Sequence, residues 1–151
     1  MNYLLDTNIA LFYLRESSLS REIDAKYNPF GDGNIPLFSI VSWAEIKSIA
    51  FQNKWGNKKV QSLNKFQQEI FMVDIHNEQI VEQYVEIDAY SQAKHPHLAA
   101  THSARNMGKN DLWIAATAAV LGATLLTTDN DFLHLHDRFL QVTKIDFLAK
   151  T

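Results

Sequence analysis

Short apolar runs of a strand's length alternate along this chain with longer segments that have the apolar spacing of a helix. The short runs are residues 3–5, 37–41, 71–75, 124–128 and 141–145. The longer segments are residues 9–14, 18–27, 42–54, 58–69, 77–93 and 111–121. Parallel strands need long crossover connections, which helices usually provide. The alternation therefore predicts an α/β fold with a central parallel β-sheet flanked by α-helices.

Two of the helical segments differ in how their apolar residues are arranged. In residues 77–93 they form one stripe at helical spacing, which predicts an amphipathic helix whose acids face water. That stripe consists of Ile80, Val81, Tyr84, Val85 and Ile87. Residues 111–121 are apolar almost all round and rich in alanine, which predicts a buried helix. Between the two, Pro96 and Gly108 mark residues 95–109 as a loop or a broken helix.

The composition is that of one globular domain covering residues 1–151. The chain is 46% apolar and 21% charged, and no linker, repeat or low-complexity segment divides it. No stretch approaches the roughly 20 apolar residues that cross a bilayer, and the first residues lack the basic leader of a signal peptide. The absence of cysteine excludes disulfides and cysteine-based zinc sites. It is compatible with the cytoplasm, where we expect the protein to act.

Charged residues are segregated along the chain, although the net charge is only -3. A basic block without acids contains Lys47, Lys54, Lys58, Lys59 and Lys65. An acidic block without lysine or arginine follows it between residues 69 and 88. The net charge argues against a simple polycationic nucleic-acid binder. The basic block itself has two interpretations, a solvated helix face or a surface that attracts phosphates.

Four carboxylates stand at strand ends or in helices that are otherwise apolar. Asp6 and Asp129 each follow a predicted strand. Glu45 lies in the first turn of a helix entered from a strand, and Asp111 begins the buried helix. The carboxyl ends of parallel strands meet at one edge of a sheet, where carboxylates would repel one another unless a cation neutralised them. Oxygen ligands suit Mg²⁺ or Mn²⁺, so the pattern indicates a divalent-metal site.

Each of these acids also has a local structural explanation. Asp6 can cap the following helix, and Asp129 can belong to a polar turn. Ser42 and Glu45 have the spacing of a capping box, in which each side chain bonds the other's backbone amide. Asp111 can favour the helix dipole, with the preceding asparagine as N-cap. One metal site explains all four positions together, whereas the local explanations require four independent coincidences.

Four motifs of this chain resemble those of PIN domains. They are Leu4-Leu5-Asp6-Thr7-Asn8, Ser42-Trp43-Ala44-Glu45-Ile46, Asn110-Asp111-Leu112-Trp113-Ile114-Ala115-Ala116-Thr117-Ala118 and Leu126-Thr127-Thr128-Asp129-Asn130-Asp131-Phe132. Their order and spacing, and the length of the chain, are similar to those of the VapC branch, the toxins of toxin–antitoxin pairs. The resemblance spans nearly the whole chain, and the last two motifs together are the most specific. Residues 28–34 and 95–109 are longer than in a minimal member.

The resemblance implies a set of functional residues and a reaction. The acidic quartet of the family corresponds to Asp6, Glu45, Asp111 and Asp129, and its accessory polar positions correspond to Thr7, Asn8 and Asp131. The quartet would be catalytic and would hold Mg²⁺ or Mn²⁺. The implied activity is that of an endoribonuclease, in which water attacks an RNA phosphodiester with the help of the metal.

The same resemblance implies partners. These are a small antitoxin that covers or enters the site, and a second copy of the chain in a homodimer or in a toxin–antitoxin hetero-oligomer. An apolar surface patch is one way to make such contacts. Candidates for the patch, equally well explained as core residues, are Phe12, Tyr13, Trp43, Phe51 and Trp55.

Lysines are candidates for contacts with an RNA substrate. Lys109 stands two residues before Asp111, nearest to the expected scissile phosphate. Weaker candidates are Lys47, Lys54, Lys58 and Lys59. Recognition of RNA combines such cationic contacts with the reading of single-stranded loops. Solubility explains the lysines equally well.

Three other functions fit the sequence less well. A zinc or acid–base site could use His95, His97, His102, His134 and His136, but their spacings match no compact zinc motif, so we expect loop or surface histidines. A phosphatase with Asp6 as nucleophile would need a second aspartate two residues later, where Asn8 stands. The main alternative is a catalytically silent PIN-fold module that binds RNA or protein. Against it, all four acids are present.

Overall fold

In the computed structural model, which describes residues 1–147, five parallel strands form a single sheet. The strands are β1 (Asn2–Leu5), β2 (Ile35–Ser39), β3 (Phe71–Val73), β4 (Thr124–Thr127) and β5 (Gln141–Lys144). They lie in the order β3-β2-β1-β4-β5, and every neighbouring pair is parallel. The prediction of an α/β fold with a central parallel sheet is confirmed. Residues 148–151 of the predicted domain lie outside the described part.

Helices cover both faces of the sheet. They are α1 (Thr7–Leu14), α2 (Ser18–Lys26), α3 (Ile40–Gln52), α4 (Asn57–Glu69), α5 (Glu78–Ser91) and α6 (Lys109–Leu121). Leu4 and Leu125 are buried on the face covered by α5 and α6. Leu5 and Leu126 are buried on the opposite face, against α1, α3 and α4, because successive side chains of a strand point to opposite faces. Within residues 1–147, none of the helices has the length and apolar character needed to cross a membrane.

The order of the strands reverses direction at β1. From β1 the chain adds β2 and β3 on one side, and it then returns to place β4 and β5 on the other. In open parallel sheets a crevice forms at such a switch point, outside the carboxyl ends of the two strands. These two strands are β1 and β4, and they are followed closely by Asp6 and Asp129.

The predicted boundaries of helices and strands agree with the structure to within two residues, but the start of α3 changes one interpretation. The sequence predicted a helix from Ser42, whereas the strand ends at Ser39 and the helix begins at Ile40. Ser39 Oγ accepts a hydrogen bond from the Val41 amide at 3.1 Å and caps the helix. The two residues after Ser39 are β-branched, which favoured a strand in the sequence. The capping box of Ser42 and Glu45 is therefore wrong, because both residues lie inside the helix.

Helix α6 also begins earlier than predicted, at Lys109 rather than Asp111. Its N-cap is Gly108, and no side chain caps it, so the N-cap role predicted for Asn110 is wrong. Asp111 lies in the first turn, where a negative charge favours the helix dipole. Gly122 ends the helix with a φ of 60°, a left-handed conformation that suits glycine.

The apolar stripe of α5 is narrower than predicted. Ile80 and Ile87 are buried, and Tyr84 packs on a tryptophan ring of α6 with centroids 4.4 Å apart. Val81 and Val85 remain 38% and 61% exposed. These two valines therefore lie on the exposed side of α5, outside its packed apolar stripe.

A long connection, residues 92–108, joins α5 to α6 without helix or strand, which confirms the predicted loop. Connections of this length are uncommon in compact domains and are usually functional. This one is held in place at several points. His95 Nδ1 accepts hydrogen bonds from the amides of His97 and Leu98, both at 3.1 Å, and Met107 is buried.

Candidate metal centre

Asp6 lies between the end of β1 and the start of α1, and only 6% of its surface is exposed. Its Oδ1 accepts a hydrogen bond from the Thr7 amide at 2.8 Å, so Asp6 does cap α1. Its Oδ2 accepts one from the Thr127 hydroxyl at 2.7 Å. Burial raises the pKa of Asp6, and repulsion from Asp129 adds to the rise, while the two hydrogen bonds oppose it. Capping of α1 therefore accounts for Oδ1 but not for Oδ2, which the Thr127 hydroxyl holds.

Thr127 joins the carboxyl ends of β1 and β4. Its buried hydroxyl donates to Asp6 and accepts a hydrogen bond from the Asp129 amide at 3.0 Å. The Asp6 amide also donates to the Leu126 carbonyl at 3.0 Å. These bonds fix Asp6 and Asp129 relative to each other. The sequence analysis gave Thr127 no role, and its one signal was a threonine close before an aspartate at a strand end.

Glu45 reaches the same edge of the sheet from the second turn of α3. Its Oε1 accepts a hydrogen bond from the Thr7 hydroxyl at 3.3 Å. Burial raises the pKa of Glu45 and repulsion from Asp6 adds to the rise, whereas hydrogen bonds from Thr7 and Asn110 lower it. Thr7 therefore lies beside the acids, where the resemblance placed an accessory hydroxyl. Asn110 is a further neighbour of Glu45, a position that was not predicted for it from the sequence.

Asp111 faces the other acids from the first turn of α6. Burial raises its pKa to about 7, and four other acids add to the rise by repulsion: Asp6, Asp129, Asp131 and Glu45. Within residues 1–147, no hydrogen bond to the Asp111 carboxylate offsets this rise. The five acids therefore act on one another at one edge of the sheet, and we call them the acidic cluster.

Asp129 and Asp131 complete the acidic cluster. Asp129 Oδ1 accepts a hydrogen bond from the Asp131 amide at 3.0 Å, which forms an Asx-turn after β4. One carboxylate oxygen from each of Asp111, Asp129 and Asp131 lies within 4.8 Å of the others. The structure thus groups Asp131, predicted as accessory, with two members of the predicted quartet. The other two members, Asp6 and Glu45, adjoin this group.

The acidic cluster has the chemistry of a site for a hard divalent cation. All of its donors are carboxylate oxygens, which Mg²⁺ and Mn²⁺ prefer. Like charges at short range raise one another's pKa values, and a cation removes that repulsion. The raised pKa values of Asp6, Glu45 and Asp111 show that hydrogen bonds within the protein do not compensate the cluster fully. The residues present therefore fit a bound divalent metal ion.

The remaining predicted site residues form no hydrogen bond or ion pair with the acidic cluster in the described part of the chain. Asn8 is exposed in the first turn of α1, and its side chain makes no hydrogen bond to the cluster. Lys109 is exposed at the first position of α6. The other candidate lysines are exposed between the middle of α3 and the first turn of α4: Lys47, Lys54, Lys58 and Lys59. No ion pair within 4.0 Å joins any of the five lysines to a cluster carboxylate.

The five aromatic residues proposed for a partner patch divide into two groups. Phe51 is 86% exposed. The others are partly buried and pack against the core on the α1 face of the sheet: Phe12, Tyr13, Trp43 and Trp55. Most of this patch therefore contributes to the core, and Phe51 is its exposed apolar side chain.

Two of the histidines meet at Ser91, a buried residue at the end of α5. Ser91 Oγ lies 2.8 Å from His134 Nε2 and donates a hydrogen bond to Met107 Sδ at 3.2 Å. The Ser91 carbonyl lies 3.3 Å from His102 Nε2. We call these four residues the Ser91 cluster. Burial lowers the pKa of His134 to about 4, so its ring is neutral at pH 7.

The histidines serve packing and loop structure. His97 and His136 are exposed, which confirms the expected loop or surface position for them. His95 lies in the loop, as expected, but its side chain is only 7% exposed and organises the start of the connection. His102 and His134 are also partly buried, with ring centroids 4.7 Å apart. In the described residues, no histidine belongs to a group of three or more side chains that could hold a metal ion.

The fold and the acidic cluster define a class of protein, an α/β domain with a cluster of carboxylates that could hold a metal ion at the carboxyl edge of a parallel sheet. The chain belongs to the PIN domain family, since the family model matches residues 3–137. No curated protein sequence matches the chain.

Solved structures of toxin–antitoxin systems contain chains with this fold. A chain of VapBC2 from Rickettsia felis, bound to a DNA fragment from their promoter, is 22% identical, with a TM-score of 0.69 over 97% of this chain and 100% of that chain. A chain of VapBC-1 from nontypeable Haemophilus influenzae is 26% identical, with a TM-score of 0.70 over 95% and 98%. A chain of FitAcB from Neisseria gonorrhoeae is 22% identical, with a TM-score of 0.64 over 93% and 95%. The resemblance to VapC-like PIN domains is confirmed for the fold.

Proposed function

We propose that this protein is a divalent-metal-dependent endoribonuclease that hydrolyses RNA phosphodiester bonds. The observation that carries the proposal is the acidic cluster, in which oxygens of Asp111, Asp129 and Asp131 lie within 4.8 Å of one another. Asp6 and Glu45 adjoin them through Thr127 and Thr7. PIN domains with such sites are generally nucleases, and this membership supports the proposal.

The proposed ligands are Asp6, Glu45, Asp111 and Asp129, with Asp131 beside them. A bound Mg²⁺ or Mn²⁺ supplies Lewis-acid chemistry, acidifying water and neutralising negative charge that develops on the phosphodiester. Thr127 and the Thr7 amide hold the Asp6 carboxylate in one orientation, so this ligand needs no reorganisation when the ion binds. The Thr7 hydroxyl does the same for Glu45. We expect products with a 5′-phosphate and a 3′-hydroxyl, because water and not the ribose 2′-hydroxyl is the nucleophile.

The similar solved structures support a further part of the proposal, that the protein is the toxin of a toxin–antitoxin pair. The matched chains come from VapBC and FitAcB complexes. We propose a small antitoxin as its partner, and assembly as a homodimer or a toxin–antitoxin hetero-oligomer. An RNA substrate and a cysteine-free chain fit an action in the cytoplasm.

Cleavage of RNA by the purified chain, freed of any partner, tests the nuclease. Single-stranded and structured RNAs are incubated with Mn²⁺ or Mg²⁺, with and without EDTA, and product ends are mapped. The Asp111→Asn variant removes one cluster charge, and Asp32→Asn makes the same chemical change at an exposed acid in the turn before β2. We expect cleavage by the wild type and by Asp32→Asn, and a loss of at least about a hundredfold in Asp111→Asn, since metal catalysis is worth several kcal/mol.

Two results would contradict the nuclease. Products ending in a 2′,3′-cyclic phosphate, or cleavage that survives both EDTA and Asp111→Asn, would mean another mechanism or a contaminant. Binding of RNA without cleavage at saturating metal would favour a silent module.

A further inference from the structure

Arg105, in the connection between α5 and α6, is a basic residue that lies directly beside the acidic cluster. Its Nη1 is 3.9 Å from Asp131 Oδ1 and donates a hydrogen bond to the Asn130 carbonyl at 3.5 Å. Among residues 1–147, no other lysine or arginine forms an ion pair within 4.0 Å of a cluster carboxylate. The sequence-predicted basic residues did not include it. We therefore ask what an arginine does at the margin of the acidic cluster.

The backbone of Arg105 is anchored independently of its side chain. Its amide donates a hydrogen bond to the Ser91 carbonyl at 2.7 Å. On either side of it, His102 and Met107 contact the same serine through the bonds of the Ser91 cluster. Ser91 is itself fully buried. The connection thus holds Arg105 at a fixed place next to the acids, and truncating the side chain leaves these anchors intact.

The guanidinium group of Arg105 keeps most of its binding capacity. Its side chain is 43% exposed, and its distance of 3.9 Å to Asp131 is longer than the roughly 2.7–2.9 Å of a strong charge-assisted hydrogen bond. A guanidinium has five N–H donors, and the one hydrogen bond to Asn130 leaves the others available. Its planar fork matches two oxygens of a phosphate. The contact with Asp131 is therefore one that a phosphate could replace.

The acidic cluster creates a need for such a group. Five carboxylates at one edge of the sheet repel the phosphates of an approaching RNA, and a bound metal ion offsets only part of that charge. A fixed cation at the margin of the cluster offsets more of it and orients the backbone. We propose that Arg105 binds an RNA backbone phosphate beside the acidic cluster, exchanging Asp131 for phosphate oxygens. This inference rests on the proposed nuclease function.

Binding and cleavage of one RNA by four proteins test the inference. They are the wild type, Arg105→Ala, Arg105→Lys, and the control Arg15→Ala, which truncates an exposed arginine at the end of α1. Anisotropy of a labelled single-stranded RNA is measured with Ca²⁺ in place of Mn²⁺, at several salt concentrations. Cleavage with Mn²⁺ supplies KM and kcat, and calorimetry supplies the Mn²⁺ affinity of each protein without RNA.

For Arg105→Ala we expect RNA binding about tenfold weaker, a KM raised by a similar factor, and a salt slope lower by about one phosphate contact. Arg105→Lys should recover part of the affinity, because it keeps the charge and loses the fork. Arg15→Ala should behave as the wild type. The Mn²⁺ affinity should change by less than about threefold in every variant, since Arg105 acts on RNA and not on the metal ligands.

Two outcomes would overturn the inference while the nuclease stands. One is RNA binding and a salt slope in Arg105→Ala equal to those of Arg15→Ala, which would make the contact with Asp131 a surface ion pair. The other is an Mn²⁺ affinity that falls by the same factor as RNA binding, because Arg105 would then act through Asp131. If the wild type does not cleave but Arg105→Ala still weakens RNA binding, the nuclease fails and the phosphate site stands. If the wild type neither binds nor cleaves RNA, both fail.

Discussion

Two clusters of titratable or polar side chains lie close together in this protein and respond to burial in opposite ways. In the acidic cluster, burial and mutual repulsion raise pKa values, that of Asp111 to about 7. In the Ser91 cluster, burial lowers the pKa of His134 to about 4. Burial favours the neutral form in both cases. For His134 the neutral form satisfies its hydrogen-bond partner, whereas the five acids can all be ionised only when a cation offsets their mutual repulsion.

The difference between the two clusters lies in their partners. Ser91 has one hydroxyl proton, which it donates to Met107, so a neutral His134 can donate to the Ser91 oxygen and leave no charge unbalanced. Asp111 has no comparable hydrogen bond within residues 1–147. A group that lacks compensation inside the protein gains most from a ligand outside it. Because no charge is left unbalanced in the Ser91 cluster, we interpret it as structural, and the acidic cluster is the one that fits a cation.

The largest effect that separates the clusters is expected from metal addition. Mn²⁺ at about 100 times its dissociation constant should stabilise the folded protein by about 2.7 kcal/mol. For a chain of this size, that corresponds to a rise in Tm of roughly 5–10 °C. Asp111→Asn should lose most of the rise, because it removes a proposed ligand. Thermal unfolding followed by circular dichroism, with Mn²⁺ and with EDTA, measures both proteins.

The control is Asp32→Asn, which should keep the full rise in Tm because Asp32 is exposed and precedes β2, at the edge of the sheet opposite to the acidic cluster. An equal rise in the wild type and Asp111→Asn would place the bound metal elsewhere. The acidic cluster would then have to be regarded as a structural feature, like the Ser91 cluster.

A smaller effect is expected from Ser91→Ala, which should change the stability of the protein but not its response to metal. Removing the hydroxyl leaves the partly buried His134 Nε2 without its partner, which should lower the free energy of unfolding by about 1–3 kcal/mol. The rise in Tm on adding Mn²⁺ should stay at the wild-type value. Urea unfolding measures the first quantity, and the melts described above measure the second.

Ser62→Ala is the matched substitution, at a less buried serine of α4 whose hydroxyl donates to the Lys58 carbonyl. It should change stability by no more than about 0.5 kcal/mol. If Ser91→Ala also reduced the metal-induced rise, the two clusters would be coupled, and the purely structural role of Ser91 would be wrong.

The parts of this molecule that follow from local pattern could be predicted from its sequence. β1 and β4 are buried on both faces, so they read as apolar runs, and the acids that close them stand out. That is why Asp6 and Asp129 could be assigned to one edge of the sheet. The start of α3 could not be predicted, because Ser39 and Ser42 are both good N-caps and the β-branched residues between them favour a strand. The extent of the sheet decides between the two serines.

The surroundings of the acidic cluster depend on contacts between distant parts of the chain. Ser91 meets His134 across 43 positions, and Arg105 meets Asn130 across 25. Residues 92–108 have no apolar period that would orient their side chains. Thr127 could be seen at its strand end, but its bond to Asp6 spans 121 positions and depends on the pairing of β1 with β4. The contacts of these residues could therefore be identified only from the folded structure.

The smallest effect, and the one that contrasts the clusters most directly, is the dependence of stability on pH without metal. Asp111 has a pKa near 7 when folded against an ordinary value of 3.8, so between these pH values the folded state binds more protons and the free energy of unfolding falls as pH rises. His134 has a pKa near 4 when folded against 6.5, so over that window the unfolded state binds more protons and the free energy of unfolding rises with pH. The two slopes oppose each other in the wild type.

Asp111→Asn separates these slopes because it removes the falling contribution of Asp111 and leaves the rising contribution of His134. In EDTA between pH 5 and 7, its stability should increase with pH more steeply than that of the wild type, as measured by urea unfolding at each pH. Asp111 is partly exposed, and water screens its repulsion, so the difference should be modest. In saturating Mn²⁺ the wild-type slope should turn upward, since the ion binds the deprotonated carboxylates. Parallel pH profiles for the two proteins in EDTA would show that the pKa of Asp111 is not raised. The mutual repulsion attributed to the acidic cluster would then have to be withdrawn.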